Sequence, residues 1–396
     1  MNKNVSVNIS DNFRPAIIGE FGPPILACIR SWGKQSWQPC IVSVQGDKEF
    51  IPKSKYLHSW TPLSKNKLFT DEGLKIISKF LEKEKISGIT CLQEKIALWL
   101  HRERHKLPVS VSLWLPSEKS IIRALSKTEQ IVCAKQAGFQ VLPTIMVNGP
   151  IHEFVDMDFP LCIRPVNPGS TDPQFKVKII YTSKEFETFL AGIKYFDQGI
   201  ICQPFMNLPN LVVHGASSMK GEILFLEGFI VEHKFEGVSL TVRNIELNSE
   251  LKNKCTAYVR LMDIVGPFHF EFLYKQDTDQ VWFLEINTRI GGTTAKVYAL
   301  GCDEPLYALK SFGISAKNSS STTIRIASSR QALMKYLFFA ITCKLNALDY
   351  PKKNIFYSTI FVLKGLFLFK DDIFTIEDLR GSSCLYYNNF RRLFIQ

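Results

Sequence analysis

The feature that most constrains this chain is a pair of segments with two-residue alternation, "PFHFEFLY" (267–274) and "WFLEINTR" (282–289). Side chains along a strand alternate between faces. Phe268, Phe270 and Phe272 therefore share one face, and His269 and Glu271 the other. In the second segment Glu285, Asn287 and Arg289 share a face, while Leu284, Ile286 and Thr288 take the opposite one. The polar "KQDTDQ" between them reads as a turn, and a hairpin centred on Thr278 sets Glu271 opposite Glu285 and His269 opposite Asn287. Opposed like charges destabilise a sheet, and a buried carboxylate needs a proton or a cation. Three readings are open: a solvated polar face, an ion pair with Arg289, or a divalent metal, since two carboxylates and an amide oxygen are hard ligands of the kind Mg²⁺ accepts. His269 beside this face is either a satisfied core histidine or a residue supporting the ligands. The following Gly291-Gly292 tilts toward a ligand, because glycine lets backbone approach closely.

Elsewhere the periodicity changes along the chain. Residues 14–115 alternate short buried strands ("PAIIG", "CIVSVQ", "SGITCL") with amphipathic helices ("DEGLKIISKFLEKEKI", "QEKIALWLHRERHKL"), the pattern of a parallel α/β unit. Its first turn, Gly19-Glu20-Phe21-Gly22, lacks the third glycine of a dinucleotide fingerprint. From about 120 the pattern is α+β: a helix over "SIIRALSKTEQIVCAKQ", a helix over "TSKEFETFLAGIKYF" opened by Thr182 with Glu185 as its capping-box partner, and several strands. "ISAKNSSSTT", after about 312, reads as a polar linker. The expected organisation is thus 1–119, 120–312 (with 143–204 a smaller lid-like part and 205–312 the larger sheet), and 313–396 as a C-terminal extension.

Composition narrows the partners. With 48 Lys+Arg against 37 Asp+Glu, the formal charge of +11 suits anionic ligands. No RNP-like, zinc-finger or helix-turn-helix pattern is present, which argues against sequence-specific nucleic-acid binding. The ten cysteines stand singly, several inside apolar runs, as buried small hydrophobes in a reducing compartment do. The polar start "MNKNVSVNISDNFRP" has no signal-peptide core, so a cytoplasmic location is expected. "IFYSTIFVLKGLFLF" (355–369) is shorter than the roughly 20 residues of a spanning helix and carries Lys364. It reads as a buried helix or strand pair, with peripheral membrane contact as the alternative, favoured by eleven Lys/Arg against five Asp/Glu in 325–396. His101 and His105 have metal-ligand spacing, but their charged neighbours favour a solvated helix face. Arg243, in "GVSLTVRNIE", is a candidate to hold a substrate carboxylate, its alternative being a surface role.

The order Glu271, turn, Glu285-x-Asn287-x-Arg289, Gly291-Gly292 resembles the ATP-grasp superfamily, and within it the carboxylate–amine ligases. The resemblance covers about residues 14–312 and implies an ATP-grasp fold, with a Rossmann-like domain before it and a C-terminal extension after it. It also implies that Glu271, Glu285 and Asn287 ligate Mg²⁺ (Mn²⁺ as a substitute), Glu285 bridging two ions. Arg289 would then stabilise an acyl phosphate and the tetrahedral adduct that follows. Lys127 ("LSKTEQ") and Arg164 ("FPLCIRPVNPGS") would contact the phosphates of ATP, and Gly169 and Ser170 would lie in the loop over them. Gln203, Phe205 and Met206 ("IICQPFM") would line the adenine site. Arginine at 164 replaces the usual lysine, and the loop "VNPGSTDPQF" has one glycine and two prolines where several glycines are usual.

The implied activity is an ATP-dependent ligase that activates a small-molecule carboxylate as an acyl phosphate and joins it to an amine, releasing ADP and phosphate. Two other readings stand beside it: a nucleotide-binding protein without turnover that acts through a protein partner, and a ligase with a thiol, hydroxyl or bicarbonate acceptor. The oligomeric state is open, a dimer among the options.

Overall fold

The computed structural model describes residues 12–46, 50–148, 158–196, 199–317, 324–346, 348–351 and 354–394. Much of the expected polar linker therefore lies outside the described residues. The chain begins with five strands, β1 (Pro15–Gly19), β2 (Cys40–Gln45), β3 (Ser59–Ser64), β4 (Gly88–Cys91) and β5 (Ser112–Leu113), in the order β3-β2-β1-β4-β5. All are parallel, and β1, β2 and β4 are buried throughout, as continuous apolar strands between helical layers should be. The connecting helices are α1 (Pro23–Lys34), α2 (Asp71–Lys83) and α3 (Glu94–Arg102). Because α3 ends at Arg102, His105 does not share its helix, and His101 Nε2 instead lies 2.8 Å from the Pro116 carbonyl.

The single helix expected after 120 is two, α4 (Glu118–Leu125) and α5 (Lys127–Gln136). Ser126 between them takes extended backbone angles, and its Oγ accepts from the Glu129 N–H, so "SKTE" starts a new helix with Lys127 as its first residue. A small antiparallel sheet follows, β6 (Ile145–Val147), β7 (Leu161–Pro165), β9 (Lys178–Ile180) and β11 (Ile200–Pro204), in the order β6-β11-β7-β9. β8 (Thr171–Asp172) pairs with β10 (Tyr195–Phe196) beside it. Helix α6 (Ser183–Ala191) opens as expected: Thr182 Oγ1 accepts from Glu185 N–H, and Glu185 accepts from the Tyr181 N–H.

The largest sheet has seven strands: β12 (Asn210–Ser217), β13 (Ile223–Phe235), β14 (Val238–Ile245), β15 (Gly266–Lys275), β16 (Gln280–Asn287), β17 (Ile326–Ser328) and β18 (Lys370–Asp371). Their order is β16-β15-β12-β13-β14-β17-β18, so the C-terminal segment lengthens the sheet at the edge far from β16. One face packs on α5 and α7 (Ser249–Leu261) around Phe139, Tyr258, Phe268, Phe270, Phe272 and Phe283. The other meets α8 (Thr294–Ala299) through Val297, which packs with Val212, Phe229 and Val242. Helix α9 (Glu304–Lys310) joins α1 in a separate cluster. Helices α10 (Arg330–Ile341) and α11 (Ile355–Leu368) cover the β13–β14 end, and α12 (Leu379–Phe394) closes the chain. The run 355–369 is thus a helix, but Ser358, Phe361, Val362 and Gly365 are its buried residues, and much of the rest faces outward. All ten cysteines are free, six of them buried, as isolated apolar positions predict.

His233 on β13 ties this covering layer to the sheet. Its ring stacks on Phe361, and its Nδ1 lies 3.1 Å from Thr241 Oγ1. Burial lowers its pKa from 6.5 to about 4. The unfolded chain therefore binds a proton first: stability holds above pH 6.5 and falls as pH drops from 6.5 toward 4, by about 1.4 kcal/mol per pH unit. Denaturant titration at several pH values should show that acid slope in the wild type and a shallower one in His233→Gln. Equal slopes would contradict this assignment.

Candidate active site

The β15–β16 pairing sets Glu271 opposite Glu285 and His269 opposite Asn287. Beyond them Phe272 pairs with Phe283, so Leu284 is the extra residue of a β-bulge. The bulge corrects the simple alternation: Phe283, not Leu284, joins Ile286 in the aromatic core, while Glu285 and Asn287 keep the same face as Glu271. Burying four phenylalanines behind the hairpin stabilises it by about 2–3 kcal/mol each. That outweighs the cost of opposed like charges, at most about 1 kcal/mol in a strand pair.

Two cations converge on Glu285. Lys127 Nζ lies 2.5 Å and Arg164 NH1 3.6 Å from its Oε2, and the Asn287 amide donates to its Oε1 at 3.2 Å. Lys127 is placed by the first turn of α5, and its backbone N–H bonds to the Val166 carbonyl at the end of β7. Arg164 NH2 donates to Gln203 Oε1 and Gln203 Nε2 to Thr144 Oγ1, both at 2.8 Å, so the small sheet aims the guanidinium. Its Nε is buried without a partner. Burial opposes ionisation of Glu285, but Lys127 and Arg164 outweigh it and hold the carboxyl far below the usual range. Glu271 lacks such partners; burial, then the Glu285 charge, raises it to about 7. His269 Nε2 lies 3.9 Å from its Oε1.

Arg289 is not the cation for this pair: its Nε donates to Glu94 at the start of α3, 2.8 Å away. His269 is buried and stacks on His214 at 5.3 Å, and burial, His214 and Arg289 push its pKa well below the ordinary value. It is neutral, and its Nδ1 is buried without a hydrogen-bond partner. A Cβ on Gly291 would lie 2.7 Å from this ring, which makes glycine necessary there; the space over Gly292 is open. Deeper still, His214 Nδ1 sits 3.0 Å from Glu304, and Thr294 bonds both Glu304 and the Gly291 N–H.

Other expected residues lie around this centre. Gly169 adopts a left-handed φ of 84° in the loop after β7, and Ser170 Oγ donates to the Asn167 carbonyl. Gln203 is buried and engaged by Arg164 and Thr144, while Phe205, half-exposed like Met206, bonds the Pro160 carbonyl through its N–H. Arg243 is not brought to the site. It pairs across the sheet with Ile230 of the aromatic core, on the face opposite Glu271, and its Nε is 2.6 Å from Glu232. Strand parity flips at the irregularity between Ile230 and His233, which the sequence pattern did not show. Sequence reasoning also missed Gln130, Glu94, Thr144 and the His214–Glu304 pair, whose partners are all distant in sequence.

Glu271, Glu285 and the Asn287 amide oxygen make a hard, three-oxygen set on one face, as magnesium requires when phosphate and water complete its shell. Among the described residues no group of three or more His, Cys, Asp or Glu would hold a metal by itself.

No family model matches the chain. Over 154 residues it is 28% identical to a D-alanine–D-alanine ligase of Prochlorococcus marinus (strain NATL1A), covering 36% of this chain and 43% of that protein. A second such ligase, from strain NATL2A, is 28% identical over 184 residues, 40% of this chain and 51% of that protein. The chain thus spans about half the length of these curated relatives. Among solved structures, L-amino acid ligase from Bacillus licheniformis superimposes with a TM-score of 0.57 at 17% identity, over 77% of this chain and 75% of that one. The chain has the ATP-grasp fold. N5-carboxyaminoimidazole synthetase from Staphylococcus aureus, solved with ADP, shares this fold with a TM-score of 0.57 at 16% identity, covering 79% and 83% of the two chains.

In this fold β16 is an edge strand, and Gln130 supports it. The Gln130 amide accepts from the Ile286 N–H at 3.0 Å and donates to the Ile286 carbonyl at 3.3 Å, between Glu285 and Asn287. Gln130→Leu leaves both backbone groups unpaired and should cost about 2 kcal/mol of stability by denaturant titration. An unchanged midpoint would show that Gln130 does not hold the edge.

Proposed function

We propose that the protein is an ATP-dependent ligase that activates a small-molecule carboxylate as an acyl phosphate and joins it to an amine. The observation that carries this reading is the convergence of Lys127 and Arg164, from two different elements, on one of two opposed carboxylates. A structural ion pair needs one cation; two cations beside an oxygen-ligand set suit a polyphosphate and its metal. The named activities of the relatives, ligases of D-alanine and of L-amino acids, support the same class.

Bound Mg²⁺, held by Glu271, Glu285 and Asn287, would neutralise phosphate charge and align the phosphates. Lys127 and Arg164 then leave Glu285 for phosphate oxygens, the unpartnered Arg164 Nε adding a donor. The Gly169–Ser170 turn lies over the phosphates, and Gln203, Phe205 and Met206 wall the base. A substrate carboxylate oxygen attacks the γ-phosphorus, and ADP leaves. The amine attacks the acyl carbon, loses a proton, and phosphate departs. Arg289, anchored by Glu94, steadies the developing oxyanion. Arg243 has no part in this scheme.

A screen of carboxylate–amine pairs reading ADP release should give turnover that requires both substrates. Glu285→Gln should abolish it, and Lys127→Ala should lower kcat/KM by about 100-fold or more. ATP binding with no ADP formed by any pair would overturn the ligase reading in favour of binding without turnover.

A further inference from the structure

The C-terminal layer presents a surface that the ligase reading does not use. Helices α10 and α11 pack against the sheet through Leu333, Tyr336, Phe361 and Val362, together with Phe235 and Leu240. Their outer faces are also apolar. Met334, Phe338 and Ile341 recur at helical spacing on α10, and Phe356, Leu363 and Phe367 on α11, all exposed; Phe356 is 72% and Phe367 81% open to solvent. Large aromatic groups at such exposure mark an interaction face.

Lys344, Lys364 and Lys370, in or next to these helices, are exposed, and the exposed Glu236 beside α10 is paired with Lys335 at 2.6 Å. Of the five acidic residues in 325–396, Asp349, Asp371, Asp372 and Asp378 are buried, and Glu377 is 2.6 Å from Lys34. Acid in this segment is therefore internal or paired, and the free charge beside the apolar face is basic. A helix with an aromatic outer face and a lysine among its apolar residues suits the headgroup–acyl boundary, where the lysine stem stays in hydrocarbon and its ammonium reaches phosphate. At 14 residues α11 is about 21 Å long, shorter than the ~30 Å hydrocarbon core. Among the described residues no helix is long and apolar enough to cross a membrane. A second copy of this chain would bring basic rim against basic rim, which repels.

We propose that the outer face of the α10–α11 pair docks the protein on an anionic lipid surface, with Phe356 and Phe367 inserted and Lys364 among the headgroups. This does not rest on the ligase reading, and its test needs no substrate. In a flotation assay the full chain should bind vesicles containing about one-third phosphatidylserine in phosphatidylcholine, and not vesicles of phosphatidylcholine alone. Salt at about 0.5 M should weaken binding roughly tenfold. The double variant Phe356→Ser/Phe367→Ser should bind at least about tenfold more weakly and Lys364→Glu about fivefold, with thermal midpoints unchanged because all three side chains are exposed. No binding to the anionic vesicles, or equal binding by wild type and double variant, would overturn the proposal. So would concentration-dependent self-association that the double variant loses, which would assign the face to a second copy.

Discussion

Two carboxylates held opposite each other on a bulged hairpin are the constraint around which the rest of the site is arranged. Glu271 and Glu285 cannot both be charged there without help, and the chain provides it unevenly. Lys127 and Arg164 keep Glu285 ionised, while Glu271, without a close cation, has its ionisation moved toward neutral pH. The polar face thus holds two opposed carboxylates of unequal acidity, with both basic side chains beside Glu285.

The surrounding structure serves to hold that arrangement. Ser126 breaks a helix so that Lys127 begins one, and the Lys127 N–H ties that start to the small sheet. Gln203 and Thr144 direct Arg164, Gln130 reads both backbone groups of Ile286, and Glu94 brings the parallel sheet's helix α3 to Arg289. Each contact joins elements far apart in sequence, so the site forms only when all three major sheets are in place. Arg164 stands on the small sheet, while Lys127 is on α5, which packs on the large one, so motion between the two sheets would shift Arg164 relative to Lys127 and Glu285.

The sequence was most legible where period-two alternation met a short turn. The opposition of Glu271 to Glu285 and of His269 to Asn287 follows from local spacing, and so does the aromatic face behind them. The bulge at Leu284 was not legible, because an inserted residue leaves no compositional mark. The same kind of irregularity sent Arg243 to the wrong face. Apolar content showed that 355–369 is an ordered element, but not that half of its surface would stay uncovered, since that depends on what packs beside it. Gln130, Glu94 and Glu304 were invisible for the same reason: a buried polar residue looks like a surface one until its distant partner is known.

The most direct measurement is a crystal structure of the protein soaked with a non-hydrolysable ATP analogue and Mn²⁺, read by anomalous scattering. The account predicts a manganese peak within about 2.2 Å of oxygens from both Glu271 and Glu285, with Lys127 and Arg164 moved onto phosphate. A nucleotide bound elsewhere, or one bound here with Lys127 still on Glu285 and no metal between the carboxylates, would contradict it.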